Sequence, residues 1–317
     1  MSNLLAVICI AAYYTVYLDA KFSRRYVRNV DFDDKKSDDE LVGEYALSFK
    51  DCAEKCRGDC EVFVYNKVLK KCRLHRNLTM LATSEEKGWR SFFNDFLATD
   101  CQDLLDKGHI NSGVYDIYPF RIPSIPVKVF CDLTTMGGGW TAIQKRIDGS
   151  VTFDRNWTDY KNGFGSPETE VWIGNDVIHQ LTKENTSSLY VSITLPNGTN
   201  LYEMYGGFSV SDEAGKYQLF LTGPATGTLG DRMLDTGSPD NYDLSGMFFS
   251  TPDNDNDGWS GGHCAASFDT RGGWWFRSCH SALLNGPWSP RSWGWPWYPA
   301  VMTETSVRGT KMMIKRH

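Results

Sequence analysis

The chain has 317 residues, which is longer than one ordinary domain and suits two. Its hydrophobic fraction of 41% is enough for packed cores and excludes an intrinsically disordered protein. With 33 Lys and Arg against 39 Asp and Glu, the chain has no basic block to neutralise phosphates, which argues against a nucleic-acid partner.

The first predicted element is a signal peptide over residues 1–20. Residues 4–18 are apolar or aromatic apart from Thr15, a run long enough for a signal-peptide core but short for a membrane-spanning helix. Leu18-Asp19-Ala20 is an acceptable cleavage site, but no positive charge precedes the core, so a signal anchor remains an alternative. The expectation is a secreted, extracellular protein with no membrane contact after signal removal.

The cysteine count agrees with export. Of nine cysteines, Cys9 lies inside the predicted signal, which leaves an even set of the kind that forms a disulfide framework in secreted proteins. The remaining cysteines are Cys52, Cys56, Cys60, Cys72, Cys101, Cys131, Cys264 and Cys279. Asn-X-Ser/Thr sequons, which are candidate glycosylation sites, lie at Asn77, Asn156, Asn185 and Asn197.

Residues 21–98 form the predicted N-terminal module. Ser48 is a plausible N-cap for a helix over residues 49–56, and residues 61–66 and 70–74 are typical of two paired strands. A fold of this size needs disulfides to support it, and its four close cysteines can supply them. A zinc site is the alternative, which export into an oxidising space disfavours.

Residues 48–56, 60–66 and 71–74 resemble a PAN/apple module that extends from about Phe22 to Phe93. The resemblance implies nested disulfides, with Cys52–Cys72 around Cys56–Cys60. It also implies a module that binds proteins or glycans, so a protein partner is possible here.

Residues 99–317 form the predicted C-terminal domain. Strands are expected over residues 127–131, 140–144 and 189–193, and a short helix over residues 176–182, which indicates an α+β fold with much irregular structure. The three glycines at 137–139 are not a phosphate-binding loop, because neither Lys-Ser/Thr nor a helix follows them. They are expected to allow a tight turn into the next strand.

The acidic loop at residues 253–258 reads Asp-Asn-Asp-Asn-Asp-Gly. Alternating carboxylates in a turn-forming loop suit Ca²⁺, which prefers roughly six to eight oxygen ligands. An EF-hand is excluded, because its last ligand would fall on Cys264 instead of Glu. A solvated acidic turn is the alternative.

Residues 258–262 also satisfy the Gly-X-Ser-X-Gly pattern of hydrolases. Ser260 lacks the strand-turn-helix context of a nucleophile, and no upstream His and Asp stand in matching contexts. The sequence therefore predicts a protein that is not an enzyme.

The stretch from Asp100 to about Arg316 is similar to a fibrinogen-related domain. The motifs that carry the resemblance occur in family order at residues 115–119, 131–135, 137–150, 163–165, 172–175, 249–253, 272–276, 279–280 and 284–286. The implied architecture is a small disulfide-rich module followed by a fibrinogen C-terminal-like domain with a mixed sheet and long irregular loops.

The resemblance also implies disulfides and a metal site. It pairs Cys101 with Cys131 and Cys264 with Cys279. The implied calcium ligands are the carboxylates of Asp255 and Asp257 and the backbone carbonyls of Trp259 and Gly261. One residue more than usual precedes Cys264, so the carbonyl assignments can shift by one position.

In ficolins and tachylectins, a pocket beside the calcium accepts acetyl groups of sugars. Carried over to this chain, it implies a cis Ser278–Cys279 peptide bond, His280 in the pocket, and Phe268 where the family often has Tyr. The segment at residues 287–297 replaces the usual far wall with Trp and Pro, and Trp293 is a candidate for stacking on a sugar. Trp274 and Trp275 are expected to serve packing.

The leading expectation is a secreted lectin of innate recognition that binds calcium and acetylated glycans such as N-acetylglucosamine. The alternative is an extracellular ligand for a receptor, matrix or coagulation partner, since one fold can serve both uses. A venom or secretory component is a third option. Competition by free N-acetyl sugars and loss on chelation would distinguish the lectin.

Overall fold

The computed structural model divides the chain into two compact units, Met1–Thr99 with Asp116–Val127, and Asp100–Tyr115 with Lys128–His317. It describes residues 7–10, 14–17, 26–29, 40–45, 51–52, 55, 62–75, 89–94, 97–121, 125–184, 187–234, 243–267, 270–288, 296–301 and 307–317.

The first unit contains a seven-stranded antiparallel sheet. Its strands are β1 (Val7–Ile10), β2 (Tyr14–Tyr17), β3 (Tyr26–Asn29), β4 (Glu40–Tyr45), β5 (Val62–Asn66), β6 (Lys71–His75) and β7 (Trp89–Asn94). They follow the order β1-β2-β3-β7-β5-β6-β4 across the sheet. Strands β1 and β2 fall within residues 1–20 and do not test the expected signal peptide, which stays a prediction. Across the described residues, no helix is long and apolar enough to span a membrane.

The hairpin expected in this unit is confirmed, with β5 antiparallel to β6. Helical residues at Asp51, Cys52 and Lys55 fall inside the helix expected over residues 49–56. The structure pairs Cys52 with Cys72, with a Cα–Cα distance of 5.6 Å, and both are fully buried. The expected Cys56–Cys60 bridge lies outside the described residues.

The remaining elements are short helices and strands, and all of them lie in the second unit except for the end of β8 and the first residue of β9, which fall in the first. The helices are α1 (Cys101–Asp106), α2 (Trp157–Asn162) and α3 (Asn175–Thr182). The strands are β8 (Gly113–Ile117), β9 (Val127–Asp132), β10 (Trp140–Arg146), β11 (Phe164–Gly165), β12 (Val171–Trp172), β13 (Ser187–Thr194), β14 (Asn200–Val210), β15 (Leu219–Gly227), β16 (Phe249–Ser250), β17 (Trp274–Trp275) and β18 (Gly309–Arg316).

The main sheet of this unit runs in the order β11-β12-β10-β18-β13-β14-β15, with β9 paired to β10 and β8 to β9. Strand β13 is buried along almost its whole length, as expected for a central strand covered on both faces, whereas β15 buries only Leu219 and Leu221 and is mostly exposed, as an edge strand often is. The strands expected over residues 127–131, 140–144 and 189–193 and the helix over residues 176–182 are confirmed. Gly137, Gly138 and Gly139 all have positive φ, which confirms the expected turn.

An aromatic cluster holds the small hairpin of β16 and β17 against the sheet. Trp172 stacks on Phe249 with ring centroids 5.9 Å apart, and Phe249 meets Trp275 edge-to-face at 5.1 Å. Trp275 also donates a 2.8 Å hydrogen bond from Nε1 to the carbonyl of Tyr217. All three side chains of the stack are fully buried, so the base of the hairpin is fixed and its flanking loops start from defined positions.

A buried carboxylate organises the loop that follows β10. Oε1 of Glu170 accepts backbone N–H bonds from Ile147, Asp148 and Gly149 at 2.7–2.8 Å, and Oε2 accepts one from Val151 at 3.0 Å. Burial acts to raise the pKa of Glu170, but these four N–H groups outweigh it and hold the pKa below its ordinary value. The ionised side chain therefore supplies the hydrogen-bond acceptors that a neighbouring strand would otherwise give these backbone N–H groups.

Candidate functional site

Two loops leave the β16–β17 hairpin and meet beside it. One follows β16 and contains the acidic residues 253–257, and the other follows β17 and contains residues 276–280. The N–H of Gly258 donates to the carbonyl of Phe276 at 3.4 Å, and the Cys264–Cys279 disulfide joins the loops with a Cα–Cα distance of 5.5 Å. A Cβ on Gly258 would lie 2.8 Å from the carbonyl oxygen of Arg277, so this close approach requires glycine.

Part of the acidic loop anchors it to the domain. Oδ1 of Asp253 accepts bonds from Trp157 N at 2.9 Å and Thr251 Oγ1 at 2.7 Å. Asn256 Nδ2 donates to the carbonyl of Phe249 at 3.0 Å, while its N–H donates to Ser250 Oγ at 2.9 Å. These two residues therefore fix the start of the loop against the rest of the domain.

Asp255 and Asp257 have different surroundings. Asp255 is exposed, and its Oδ1 accepts the N–H of Asp257 at 3.2 Å. Asp257 spans the loop, because Oδ1 accepts the N–H of Trp259 and Oδ2 that of Cys264, both at 2.7 Å. Burial raises the pKa of Asp257, the two N–H bonds oppose this, and the neighbouring Asp255 carboxylate adds to the rise.

The chemistry of this loop fits a hard cation such as Ca²⁺. Carboxylates two residues apart and backbone carbonyls in a tight turn are oxygen ligands of the type that Ca²⁺ selects. The carbonyl of Trp259 accepts a long 3.4 Å bond from Gly262 N. No group of three or more His, Cys, Asp or Glu side chains in the described part of the chain is arranged to hold a metal. A cation here would therefore need carbonyl and water oxygens besides the two carboxylates.

The second loop carries the peptide bond and histidine expected from the resemblance. The Ser278–Cys279 bond is cis, and Arg277 N donates to the carbonyl of Cys279 at 3.0 Å. Nε2 of His280 is buried and has no hydrogen-bond partner among the described residues. Burial lowers the pKa of His280 to about 4, so its imidazole is neutral at physiological pH.

The buried imidazole predicts an acid-sensitive fold. The folded-state pKa of about 4 lies below the ordinary 6.5, so between these pH values the unfolded chain binds a proton that the folded protein excludes. The free energy of unfolding should fall by at most about 3 kcal/mol as the pH drops through this window. His280→Gln should lose this slope in urea unfolding, whereas His109→Gln, at an exposed ring, should keep it. An unchanged slope in His280→Gln would contradict the prediction.

Several aromatic residues near the site are packed in the interior, and two of the expected ligand contacts lie outside the described residues. Trp274 and Trp275 are fully buried, which confirms their expected packing role. In the Trp-Pro segment, Trp297 is fully buried with Nε1 donating to Gly230 O at 2.7 Å, and the Trp288 ring lies 5.0 Å from the Arg146 guanidinium. The candidate ligand contacts Phe268 and Trp293 lie outside the described residues.

The remaining predicted positions are not part of the two loops. Cys101 pairs with Cys131 at a Cα–Cα distance of 5.4 Å. Asn156 caps α2 by accepting Asp159 N at 2.8 Å, and the exposed Asn197 lies in the turn between β13 and β14. Asn77 and Asn185 are outside the described residues, so all four glycosylation sites stay predictions.

Two residues of the site escaped the sequence analysis. His263 donates from Nε2 to the carbonyl of Thr251 at 3.0 Å and closes the acidic loop. Arg277 donates from Nη1 to the carbonyl of Asp243 at 3.0 Å and ties the second loop to a distant segment. The carbonyl partners of both side chains are fixed only by the folded backbone, so no local pattern identifies these roles.

Comparison with known proteins places this arrangement in a family. The family model described as Fibrinogen beta and gamma chains, C-terminal globular domain, matches residues 97–317. Ryncolin-4 from Cerberus rynchops is 41% identical over 196 residues, which cover 61% of this chain and 53% of the relative. Human fibroleukin is 40% identical over 229 residues, which cover 68% of this chain and 51% of the relative. The chain thus spans about half the length of the curated relatives it matches.

Solved structures agree with the sequence comparison. The fibrinogen-like globe domain of human ANGPTL6 aligns with a TM-score of 0.61 and 34% identity, over 69% of this chain and 96% of that domain. Lamprey fibrin D-dimer, complexed with the peptide ligand Gly-His-Arg-Pro-amide, aligns with a TM-score of 0.60 and 34% identity. The alignment covers 69% of this chain and 74% of the lamprey chain. Because the family match covers more than half of the chain and includes both loops of the site, this protein belongs to the fibrinogen C-terminal domain family.

Proposed function

We propose that this is a secreted, calcium-binding, lectin-like protein whose C-terminal domain binds acetylated glycans in innate recognition. The observation that carries the proposal is the junction of the two loops. The Asp255–Asp257 turn and the His280 segment leave one hairpin and are joined through Cys264–Cys279. With this arrangement, a cation bound in one loop would fix the position of a ligand-binding segment in the other loop.

Calcium would be held by the carboxylates of Asp255 and Asp257 and the carbonyls of Trp259 and Gly261. The anchoring bonds of Asp253 and Asn256 support this assignment, because they fix the turn before any ion arrives. A bound cation would neutralise the two neighbouring carboxylates and stiffen the loop that contacts the second loop at Gly258.

The acetyl group of the ligand would lie against the second loop. A neutral, buried imidazole with a free Nε2 suits an uncharged acyl or hydroxyl group better than an anion. The backbone of Ser278 and Cys279 would add hydrogen bonds, and Phe268 and Trp293 would supply aromatic surface for the sugar.

The N-terminal residues 21–98 and the absence of an assigned catalytic residue complete the proposed function. Its family acts by binding, and no catalytic role is assigned to Ser260 or to any other residue. We propose a PAN/apple-like module for residues 21–98, supported by the Cys52–Cys72 bridge at the β5–β6 hairpin. This module would contact a glycan or protein partner, and the protein would act outside the cell.

The test is binding of the mature protein to acetylated and non-acetylated glycans, with and without calcium. We expect binding to acetylated sugars that free N-acetylglucosamine competes and that a chelator abolishes. His280→Ala should weaken it by about tenfold or more, because a buried hydrogen bond is lost, whereas His109→Ala should bind as the parent does. Absence of binding by folded, calcium-loaded protein would overturn the lectin assignment.

A protein-binding role is the second candidate. The observation that favours it is the peptide ligand of the lamprey fibrin D-dimer, whose domain aligns with this one. In that case the same loops would take a peptide segment, and neither N-acetyl sugars nor a glycan array would reveal the ligand. Competition between a Gly-His-Arg-Pro-amide peptide and N-acetylglucosamine separates the two candidates.

A further inference from the structure

The main sheet of the second unit carries a cavity that the loops described above do not share. It has a volume of about 300 Å³, at the lower end of the range for ligand pockets. Strands β10, β13 and β18 form its floor. Its lining includes Lys145, Tyr190, Ser192, Arg308, Thr310 and Lys311.

The cavity concentrates positive charge. Lys145 of β10 lies directly opposite Lys311 of β18 in the strand register, an arrangement that is unfavourable for like charges. Both ammonium groups also lie over the ring of Phe130, at 4.9 and 5.6 Å from its centroid. Burial lowers the pKa of Lys145, and repulsion by Lys311 lowers it further.

The groups around these lysines neutralise them only in part. Lys311 pairs with Asp132 at 3.3 Å, while Lys145 donates to the carbonyls of Pro167 and Glu168 at 3.2 and 3.0 Å. Arg308 is exposed and has no ion pair among the described residues. No carboxylate is part of the cavity lining as the structure describes it. An anion would therefore meet Lys145, Lys311 and Arg308 and no opposing charge in the lining. The fourth cation of the lining, Arg146, is buried and its guanidinium donates to the carbonyl of Gly286.

The remaining lining is suited to a sugar ring. Tyr190 is buried, stacks on Tyr202 with ring centroids 5.4 Å apart, and packs on Trp140 at 5.5 Å, so its ring is held rigidly in the floor. Ser192 pairs with Lys311 across the strands, and its hydroxyl makes no hydrogen bond to a described residue. Aromatic surface beside hydroxyl and ammonium groups is the usual chemistry of carbohydrate recognition.

We propose that this cavity is a second glycan site, one that binds an anionic sugar through its sulfate ester or carboxylate. Lys145, Lys311 and Arg308 bind the anionic group, and Tyr190 and Ser192 contact the ring beside it. The site uses residues of β10, β13 and β18, together with Arg308 just before β18, and no residue of the calcium loop, so it is independent of the proposed acetyl-group recognition.

The test is titration of the full chain with a heparin-derived sulfated disaccharide, its desulfated counterpart and a neutral disaccharide, at physiological salt and in the presence of a chelator. We expect the sulfated sugar to bind and the neutral one not to bind. The double variant Lys145→Gln/Lys311→Gln should weaken binding by about a hundredfold, since each lost charged hydrogen bond corresponds to about tenfold. The exposed Arg308→Gln provides a single change that leaves the sheet intact, with an expected loss of about threefold to tenfold.

Lys315→Gln is the matched control. Lys315 lies on β18 four positions beyond Lys311, over the ring of Trp140 at 5.9 Å, and is not part of the cavity lining. It should change affinity by less than about threefold, because charges separated by about a Debye length are largely screened.

Each outcome of the sugar titration either supports or overturns the proposed second site. Binding of the sulfated sugar alone identifies a sulfate ester as the ligand group, and equal binding of the desulfated sugar identifies a carboxylate; both support the proposal. Absence of binding to either overturns it, as does binding that the double variant retains or that Lys315→Gln weakens equally. Binding that is lost on chelation or in His280→Ala belongs to the calcium-loop site and also overturns it.

Discussion

Glu170→Gln should lower the free energy of unfolding by about 2–4 kcal/mol, because its amide would place N–H donors against backbone N–H donors in a buried site. Glu170 is fully buried, and its two oxygens accept four backbone N–H groups of the loop after β10. Urea unfolding near neutral pH measures the change. Glu168→Gln, two positions earlier and exposed, is the matched control and should leave the urea midpoint unchanged.

The pH dependence of the free energy of unfolding provides a second test of Glu170→Gln. The folded-state pKa of Glu170 lies below the ordinary 4.5, so its contribution is present above that pH and is lost as the pH falls through the folded value. The difference in the free energy of unfolding between the parent and Glu170→Gln should therefore narrow as the pH falls below the ordinary 4.5. A constant difference across this range would show that the ionised carboxylate does not hold the loop.

Asp257→Asn should abolish the stabilisation that calcium gives the folded protein. Saturating calcium should raise the free energy of unfolding of the parent by about 3 kcal/mol at a hundred times the dissociation constant, and Tm should rise with it. The variant loses one charged oxygen and also the acceptor for Cys264 N or Trp259 N, so the ion and the loop are both affected. Thermal unfolding with calcium and with chelator measures the effect.

Asp253→Asn is the control for this change. It removes the same charge from the same loop but keeps Oδ1, which accepts the bonds from Trp157 and Thr251. Its calcium response should stay close to that of the parent. If Asp257→Asn retains the calcium-dependent rise in Tm, the ion does not bind at this loop.

The sequence predicted those elements whose side chains follow a simple local rule. Strands β9, β10 and β13 are apolar runs with β-branched or aromatic residues, and they were identified close to their observed bounds. Strands β14 and β15 were not identified, because Gly206, Gly207 and the Gly223–Pro224 pair interrupt them. Their pairing depends on neighbours that a local pattern does not contain.

The site shows the same division. A motif resemblance pointed to the cis Ser278–Cys279 bond and to His280, but nothing near His280 in sequence indicates that its Nε2 is enclosed without a partner. Outside the site, Glu170 was missed, since nothing in the sequence distinguishes it from the nearby Glu168 or indicates the four N–H groups that it accepts. Cross-strand charge pairs such as Lys145 with Lys311 likewise exist only once the register is known.

The position of β18 has a consequence for how the second unit forms. Among the described strands it comes last along the chain, yet it lies between β10 and β13 and there joins the two halves of the main sheet. During synthesis, both halves must wait with an unpaired edge until residues 309–316 leave the ribosome. A nonsense mutation before Gly309 would leave those edges permanently open, and the truncated chain should aggregate instead of forming a smaller stable domain.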